Sequence, residues 1–162
     1  MPVIHSADFA REGGVLEGAL PLADLARVRD RLVGTEGNMV WRLKGGVDKL
    51  ERPWLEVSLT GELVLTCQRC LQPMPWPFVV DTRFTQFADE ATADDAEMLD
   101  PDVDTLVIDP AMSVETLLED ELLLALPFAP THAVCDAPQE QNLQDKPNPF
   151  AVLAGLKTRK AE

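Results

Sequence analysis

Apolar and polar residues keep one alternating parity from Leu55 to Cys67. Leu55, Val57, Leu59, Gly61, Leu63, Leu65 and Cys67 share one side, and Glu56, Ser58, Thr60, Glu62 and Thr66 share the other. Val64 is the one large apolar exception. Period-two alternation is the pattern of a strand with one dry and one wet face, and it places Cys67 on the dry face. The run is long for one strand, so Gly61 reads as a bulge or bend. Earlier, Met39, Trp41 and Leu43 alternate with Val40, Arg42 and Lys44, and Gly45-Gly46 reads as a break. Phe78 to Phe87 is a further β segment with less distinct parities. Pro73, Pro75 and Pro77 lie between the last two runs. Prolines cannot donate ladder hydrogen bonds, so this stretch reads as a turn.

Helical spacing occupies other parts of the chain. Leu22, Leu25, Ala26, Leu32 and Val33 fall on one face of a helix expected over Pro21–Val33, interrupted by Arg29 and stopped at Gly34. Ser113 is placed to cap a helix over Val114–Leu126 whose apolar face is Val114, Leu117, Leu118, Leu122, Ala125 and Leu126. Glu119, Asp120 and Glu121 are expected to face away or on the flank. Thr105–Asp109 fits a short returning strand. Asn148-Pro149 marks the start of a short C-terminal helix, with Phe150, Leu153 and Leu156 on one face and Lys157, Arg159 and Lys160 at its end. These elements predict an α+β fold, in which an antiparallel β-sheet, open or barrel-like, is covered by a few helices. A single domain is expected over 1–130, with a mobile acidic loop near 89–104. An irregular segment and a basic helical tail follow over 131–162.

Charge is distributed unevenly. Residues 1–83 hold ten Lys or Arg against eleven Asp or Glu. Between Arg83 and Lys146 there is no Lys or Arg, but there are sixteen acidic residues. Such a stretch repels a phosphate backbone and attracts a basic partner, although acidic runs are also ordinary solvated surface. A basic strand face with Arg42, Lys44 and the tryptophans would suit single-stranded RNA; near-neutral charge in that half favours tryptophans in the core instead.

The chain has three cysteines and begins without a basic region followed by an apolar run. No export signal or membrane span is expected, and the odd cysteine count points to a reducing cytoplasm rather than a disulfide framework. Cys67-Gln68-Arg69-Cys70 is a C-x-x-C at a strand end. His132-Ala133-Val134-Cys135 is a second pair of similar spacing. Four N/S ligands arriving as two short pairs suit structural zinc, so Cys67, Cys70, His132 and Cys135 are the candidate metal ligands. The opposing reading is one core cysteine and three bystanders. A redox role for Cys67 and Cys70 needs a helix N-terminus to lower a thiol pKa; the run precedes prolines instead, although Arg69 could lower a thiol pKa. No phosphate-binding loop, nucleophile elbow or dinucleotide fingerprint is present. No small-molecule substrate is expected.

Three segments together carry a family resemblance. They are Cys67-Gln68-Arg69-Cys70-Leu71-Gln72-Pro73-Met74, Glu119-Asp120-Glu121-Leu122-Leu123-Leu124-Ala125-Leu126-Pro127 with Pro130 and His132, and Lys146-Pro147-Asn148-Pro149-Phe150-Ala151-Val152-Leu153-Ala154-Gly155-Leu156-Lys157. The sequence resembles the YceD family, the large ribosomal RNA subunit accumulation proteins. The resemblance implies a cytosolic, non-catalytic ribosome-biogenesis factor that supports synthesis, processing or stability of 23S rRNA. Some relatives carry further cysteine pairs in the second half, which favours a metal clip; this chain has only His132 and Cys135 there. Family genes commonly lie beside that of a small basic large-subunit ribosomal protein, an association that fits the acidic middle. The expected partner is a large-subunit ribosomal protein held through that acidic middle, or a 23S rRNA precursor touched through the first-half arginines and the basic tail. Phe150, Leu153, Lys157, Arg159 and Lys160 are candidates for partner contact. Two alternatives stand beside this reading. One is a thiol-redox or RNA-processing enzyme using Cys67 and Cys70, and the other is a zinc-stabilised protein-binding module unrelated to ribosomes.

Overall fold

The computed structural model describes residues 1–135. The expected C-terminal helix, with Phe150, Leu153, Lys157, Arg159 and Lys160, lies outside the described residues. In chain order the elements are β1 (Val3–Ile4), α1 (Ser6–Arg11), β2 (Val15–Pro21), β3 (Asn38–Val47), β4 (Pro53–Thr66), β5 (Pro73–Phe87), α2 (Glu90–Leu99), β6 (Asp104–Val107), β7 (Met112–Ser113) and α3 (Val114–Ala125). The main sheet has the order β2-β3-β4-β5-β6, and β1 pairs with β7 apart from it. The fold is α+β as expected. The sheet is open rather than barrel-like, because its end strands β2 and β6 do not pair with each other.

Neighbouring strands run antiparallel except β5 and β6, which are parallel. A parallel return needs a crossover rather than a hairpin, and α2 supplies it. The stretch expected as a mobile acidic loop is therefore largely helix. Asp89 caps it by accepting from the Thr92 N–H at 2.9 Å, and Ala93 is its one buried residue. The scarcity of large apolar residues concealed this helix, since a crossover packed through one alanine needs few of them.

The alternating run maps onto β4 with its parity intact. Leu55, Val57, Leu59, Leu63 and Leu65 are buried, together with Cys67 just beyond the strand. Each such burial contributes roughly 1.5–3 kcal/mol. Gly61 makes no bulge, as the pairing with β5 runs unbroken from Trp54↔Thr85 through Gly61↔Phe78 to Thr66↔Pro73. Its lack of a side chain is used by Phe78, whose ring would lie 2.9 Å from a Cβ there. Gly45-Gly46 is likewise inside β3 rather than a break. A Cβ on Gly45 would stand 2.6 Å from the Ala10 Cα, so the glycine lets α1 seat directly on the sheet.

Pro73, Pro75 and Pro77 belong to β5, not to a turn. They oppose Thr66, Val64 and Glu62 and share one parity. In an antiparallel ladder alternate residues turn their N–H groups to opposite sides, so all three prolines occupy positions that face away from β4. β6 pairs with Phe84–Phe87, so among the described residues the missing donors fall on open edge.

The helix expected over Pro21–Val33 is not formed. Pro21 ends β2, and two 3₁₀ turns follow at Leu22–Asp24 and Arg29–Arg31. Leu22, Leu25 and Val28 are fully buried. Their spacing of three satisfies a folded-over loop as well as a helix. The Arg27 N–H donates to Glu119 Oε1 at 3.0 Å, so a tertiary contact takes a donor that an α-helix would use internally. Glu119 and Glu121 are buried, against the expectation that they face away or lie on the flank. Ser113 caps α3 as read, accepting from the Thr116 N–H at 3.3 Å. Among the described residues no helix is long and apolar enough to cross a membrane.

Candidate metal centre

β4 delivers Cys67 to the end of the sheet, and the chain reverses within Cys67–Gln72 before β5 begins. The Cys67 C=O accepts from the Leu71 N–H at 2.9 Å, and the Cys67 N–H donates to the Gln72 C=O at 3.0 Å. Leu71 has φ +60, a left-handed conformation that costs a branched residue about 1–3 kcal/mol. The two closing bonds and the β4–β5 ladder hold it there. The C-x-x-C is thus the hairpin connection itself, and the tight turn aims both sulfurs to one side.

The second pair arrives on the chain that leaves α3. The Gln68 N–H donates to the Pro130 C=O at 2.8 Å, anchoring that chain to the turn. The His132 N–H points at the Cys67 sulfur at 3.4 Å. Arg69 donates from Nη1 to the Cys135 C=O at 3.3 Å and from Nη2 to the His132 C=O at 3.5 Å. Arg69 therefore straps the second pair to the first. The sequence reading gave it a different task, and only its position inside the C-x-x-C could have hinted at this one.

The four candidate ligands meet. Cys67 Sγ lies 3.7 Å from Cys135 Sγ, and Cys70 Sγ lies 3.4 Å from His132 Nδ1. All four ligand atoms fall within 4.8 Å of one another. With Zn–S near ~2.3 Å and Zn–N near ~2.0–2.1 Å, tetrahedral vertices are about 3.8 Å apart for two sulfurs and about 3.6 Å for sulfur and nitrogen. The donor set and its spacing fit zinc, and the 3.7 Å sulfur separation is far from a disulfide bond.

The electrostatics prepare the site for a cation. Burial pushes the Cys67 thiol up, but N–H groups of Cys70, His132 and Arg69 and the Cys70 side chain outweigh it and hold the pKa at about 5. Burial also pushes Cys135 up, and the Cys67 and Cys70 sulfurs beside it carry it to about 11. A thiolate at Cys67 is thus favoured and one at Cys135 opposed, a conflict that a divalent cation removes. Cys67 is fully buried, so an external disulfide or substrate has no approach to its sulfur.

Five of the ten first-half cations meet a carboxylate among the described residues. Arg42 meets Glu17 at 3.9 Å, Arg52 meets Asp48 at 2.8 Å, and Arg27 contacts Asp120. Trp41 is core, and Trp76 stacks on Phe78 at 5.6 Å. Trp54 is half-buried, with Arg83 at 4.1 Å and Lys44 at 5.7 Å from its ring centroid.

A family model described as "Large ribosomal RNA subunit accumulation protein YceD" matches residues 55–157. The chain belongs to the YceD family. The matched span contains β4 from Leu55 onward and all four members of the Cys3His cluster. A Haemophilus influenzae YceD relative, named a large ribosomal RNA subunit accumulation protein, is 35% identical over 145 residues, covering 83% of this chain and 83% of the relative. A Bacillus subtilis relative, the uncharacterized protein YlbN, is 29% identical over 104 residues, covering 62% of this chain and 54% of YlbN. No solved structure matches this YceD chain at a significant level.

Proposed function

We propose that this chain is a non-catalytic ribosome-biogenesis factor, acting in the cytoplasm to support accumulation of 23S rRNA and the large subunit. The observation that carries this reading is the 35% identity, over 83% of both chains, with a relative named for large ribosomal RNA subunit accumulation. Cys67, Cys70, His132 and Cys135 hold a structural zinc. It ties the β4–β5 connection to the chain that follows α3, and supplies cross-linking rather than chemistry. The buried position of Cys67 supports this over a thiol-redox role.

The partner is a basic large-subunit ribosomal protein, held through the acidic second half. Sixteen acidic residues and no Lys or Arg separate Arg83 from Lys146, and such a surface meets RNA against long-range repulsion. The pairing of Arg27, Arg42 and Arg52 with carboxylates supports the same choice. The tail residues Phe150, Leu153, Lys157, Arg159 and Lys160 supply a second contact to the partner or to its rRNA.

The test is complementation in Haemophilus influenzae lacking its relative. This chain is expected to restore the level of large-subunit rRNA. Crosslinking in the same cells, read by mass spectrometry and by RNA sequencing, is expected to recover a basic ribosomal protein. Recovery of rRNA alone after nuclease control would reverse the choice of partner.

A further inference from the structure

The strand order leaves β6 at the end of the sheet. The Ile108 N–H donates to the Phe87 C=O at 2.8 Å. In a parallel ladder alternate residues turn to opposite neighbours, so Thr105 and Val107 direct their N–H and C=O groups away from β5. Asp109 is the next residue of that set, and its position confirms the parity. It donates its N–H to Ser6 Oγ at 3.0 Å, and its C=O accepts from the Ser6 N–H at 2.9 Å. Ser6 thus ends the exposed edge, and Thr105 and Val107 have no neighbouring strand among the described residues.

A groove of about 590 Å³ runs along this edge, between β6 and α2. Ala93, Ile108 and Met112 are apolar parts of its wall, and Glu90, Asp94 and Asp109 are acidic parts. No Lys or Arg occurs anywhere between Arg83 and Lys146 to neutralise them. Three requirements therefore coincide at one place among the described residues: unused strand hydrogen-bonding groups, an apolar wall and negative charge without an ion-pair partner.

We propose that this groove takes an extended, Lys- or Arg-bearing segment of a protein partner, which adds to β6 as a short strand. Backbone groups of the segment pair with Thr105 and Val107. One side-chain parity places an apolar residue against Ile108 and Met112, while the cations meet Glu90, Asp94 and Asp109. Strand addition supplies affinity through the backbone and selects side chains by alternation. The acidic groups select against nucleic acid. The proposal rests on the reading of this chain as the holder of a basic partner, and it specifies where and in what conformation that partner is held.

The probe is a fluorescent heptapeptide of alternating lysine and valine, titrated against the full chain by anisotropy. An N-methylated copy lacks the backbone donors, and a glutamate–valine copy reverses the charge. The variants are Asp94→Lys, on the exposed side of α2, and Val107→Pro, which removes an outward N–H at an edge where proline is tolerated. Circular dichroism melting checks that both fold. The lysine peptide is expected to bind, while the glutamate peptide does not. Asp94→Lys, Val107→Pro and N-methylation are each expected to weaken binding by about tenfold or more. Unchanged binding with both Val107→Pro and the N-methylated peptide would reduce the contact to charge alone and overturn the proposal, as would an indifferent Asp94→Lys. Should Val107→Pro not fold, the N-methylated peptide decides the strand pairing. Complementation in the Haemophilus influenzae deletion strain separates the two readings. If wild type and Asp94→Lys restore large-subunit rRNA equally, the groove is dispensable and this proposal fails while the wider function stands. If wild type restores nothing, the wider function fails, and the peptide titration still decides the groove.

Discussion

Cys70 Sγ stands 3.4 Å from Nδ1 of His132, a residue sixty-two positions later in the chain. The contact spans β5, α2, β6, β7 and α3, so the two ends of the described second half are closed on each other at one point. Closing a long loop restricts the unfolded chain more than closing a short one, although the gain grows only slowly with length.

Purified protein is therefore expected to carry about one zinc per chain by elemental analysis. Cys70→Ser and His132→Ala should each lose it. A structural zinc contributes folding free energy directly. If its loss costs about 3 kcal/mol, Tm should fall by roughly 10 °C in a chain of this size. Metal-free wild-type protein with the same melting curve would rule out the clip.

Arg69→Ala leaves all four ligands in place but removes the donors to the carbonyls of His132 and Cys135. Loss of such supporting bonds typically lowers metal affinity by about 10–100-fold. Competition against a chromophoric chelator measures this, and wild-type affinity in the variant would show that Arg69 does not position the second pair.

Burial pushes the Glu121 carboxyl above its ordinary value; the Thr82 hydroxyl opposes the rise, and the Asp104 and Asp120 charges add to it. The folded state therefore binds this proton more readily than the unfolded state, and stability falls as pH rises from the ordinary carboxylate value through the raised one. Glu121→Gln removes the ionisation. It should raise Tm at pH 8, with the advantage shrinking as the buffer is taken toward pH 4.5. An equal shift at both pH values would mean that Glu121 is not charged against its surroundings.

Gly45→Ala sets a Cβ 2.6 Å from the Ala10 Cα. Backbone on both sides leaves no flexible side chain to yield, so the substitution should cost about 1–3 kcal/mol by overpacking. Urea unfolding checks it, and an unchanged midpoint would show that α1 can shift on the sheet without loss.

How far the sequence led differs from element to element. β4 was legible because nearly all its inward residues are large and most of its outward residues are polar, with Gly61 and Val64 the exceptions between Leu55 and Thr66. α3 was legible from Ser113 and its apolar face. β2 carries the same alternation, but Gly18 and Ala19 contrast too little in size and polarity to reveal it. Six-residue α1 is too short for a helical period to declare itself. The 22–33 segment misled because residues spaced by three fit two conformations, and Glu119 in α3 helps choose between them by taking the Arg27 N–H.

The sequence by itself determined the dry face of the sheet, the place of Cys67 on it, the cap of α3 and the four residues able to form a metal site. Each follows from local chemistry, namely side-chain polarity repeated at the strand period, a hydroxyl before a helix, or ligands at short spacing. Only the tertiary structure decided that the prolines of β5 face an open edge, that the acidic stretch crosses over as a helix, and that Arg69 binds the second ligand pair to the first. It also decided that, among the described residues, β6 ends the sheet with Thr105 and Val107 unpaired. Those outcomes depend on which strand lies beside which, and the hydrogen-bonding direction of a residue has no meaning until its neighbours are in place.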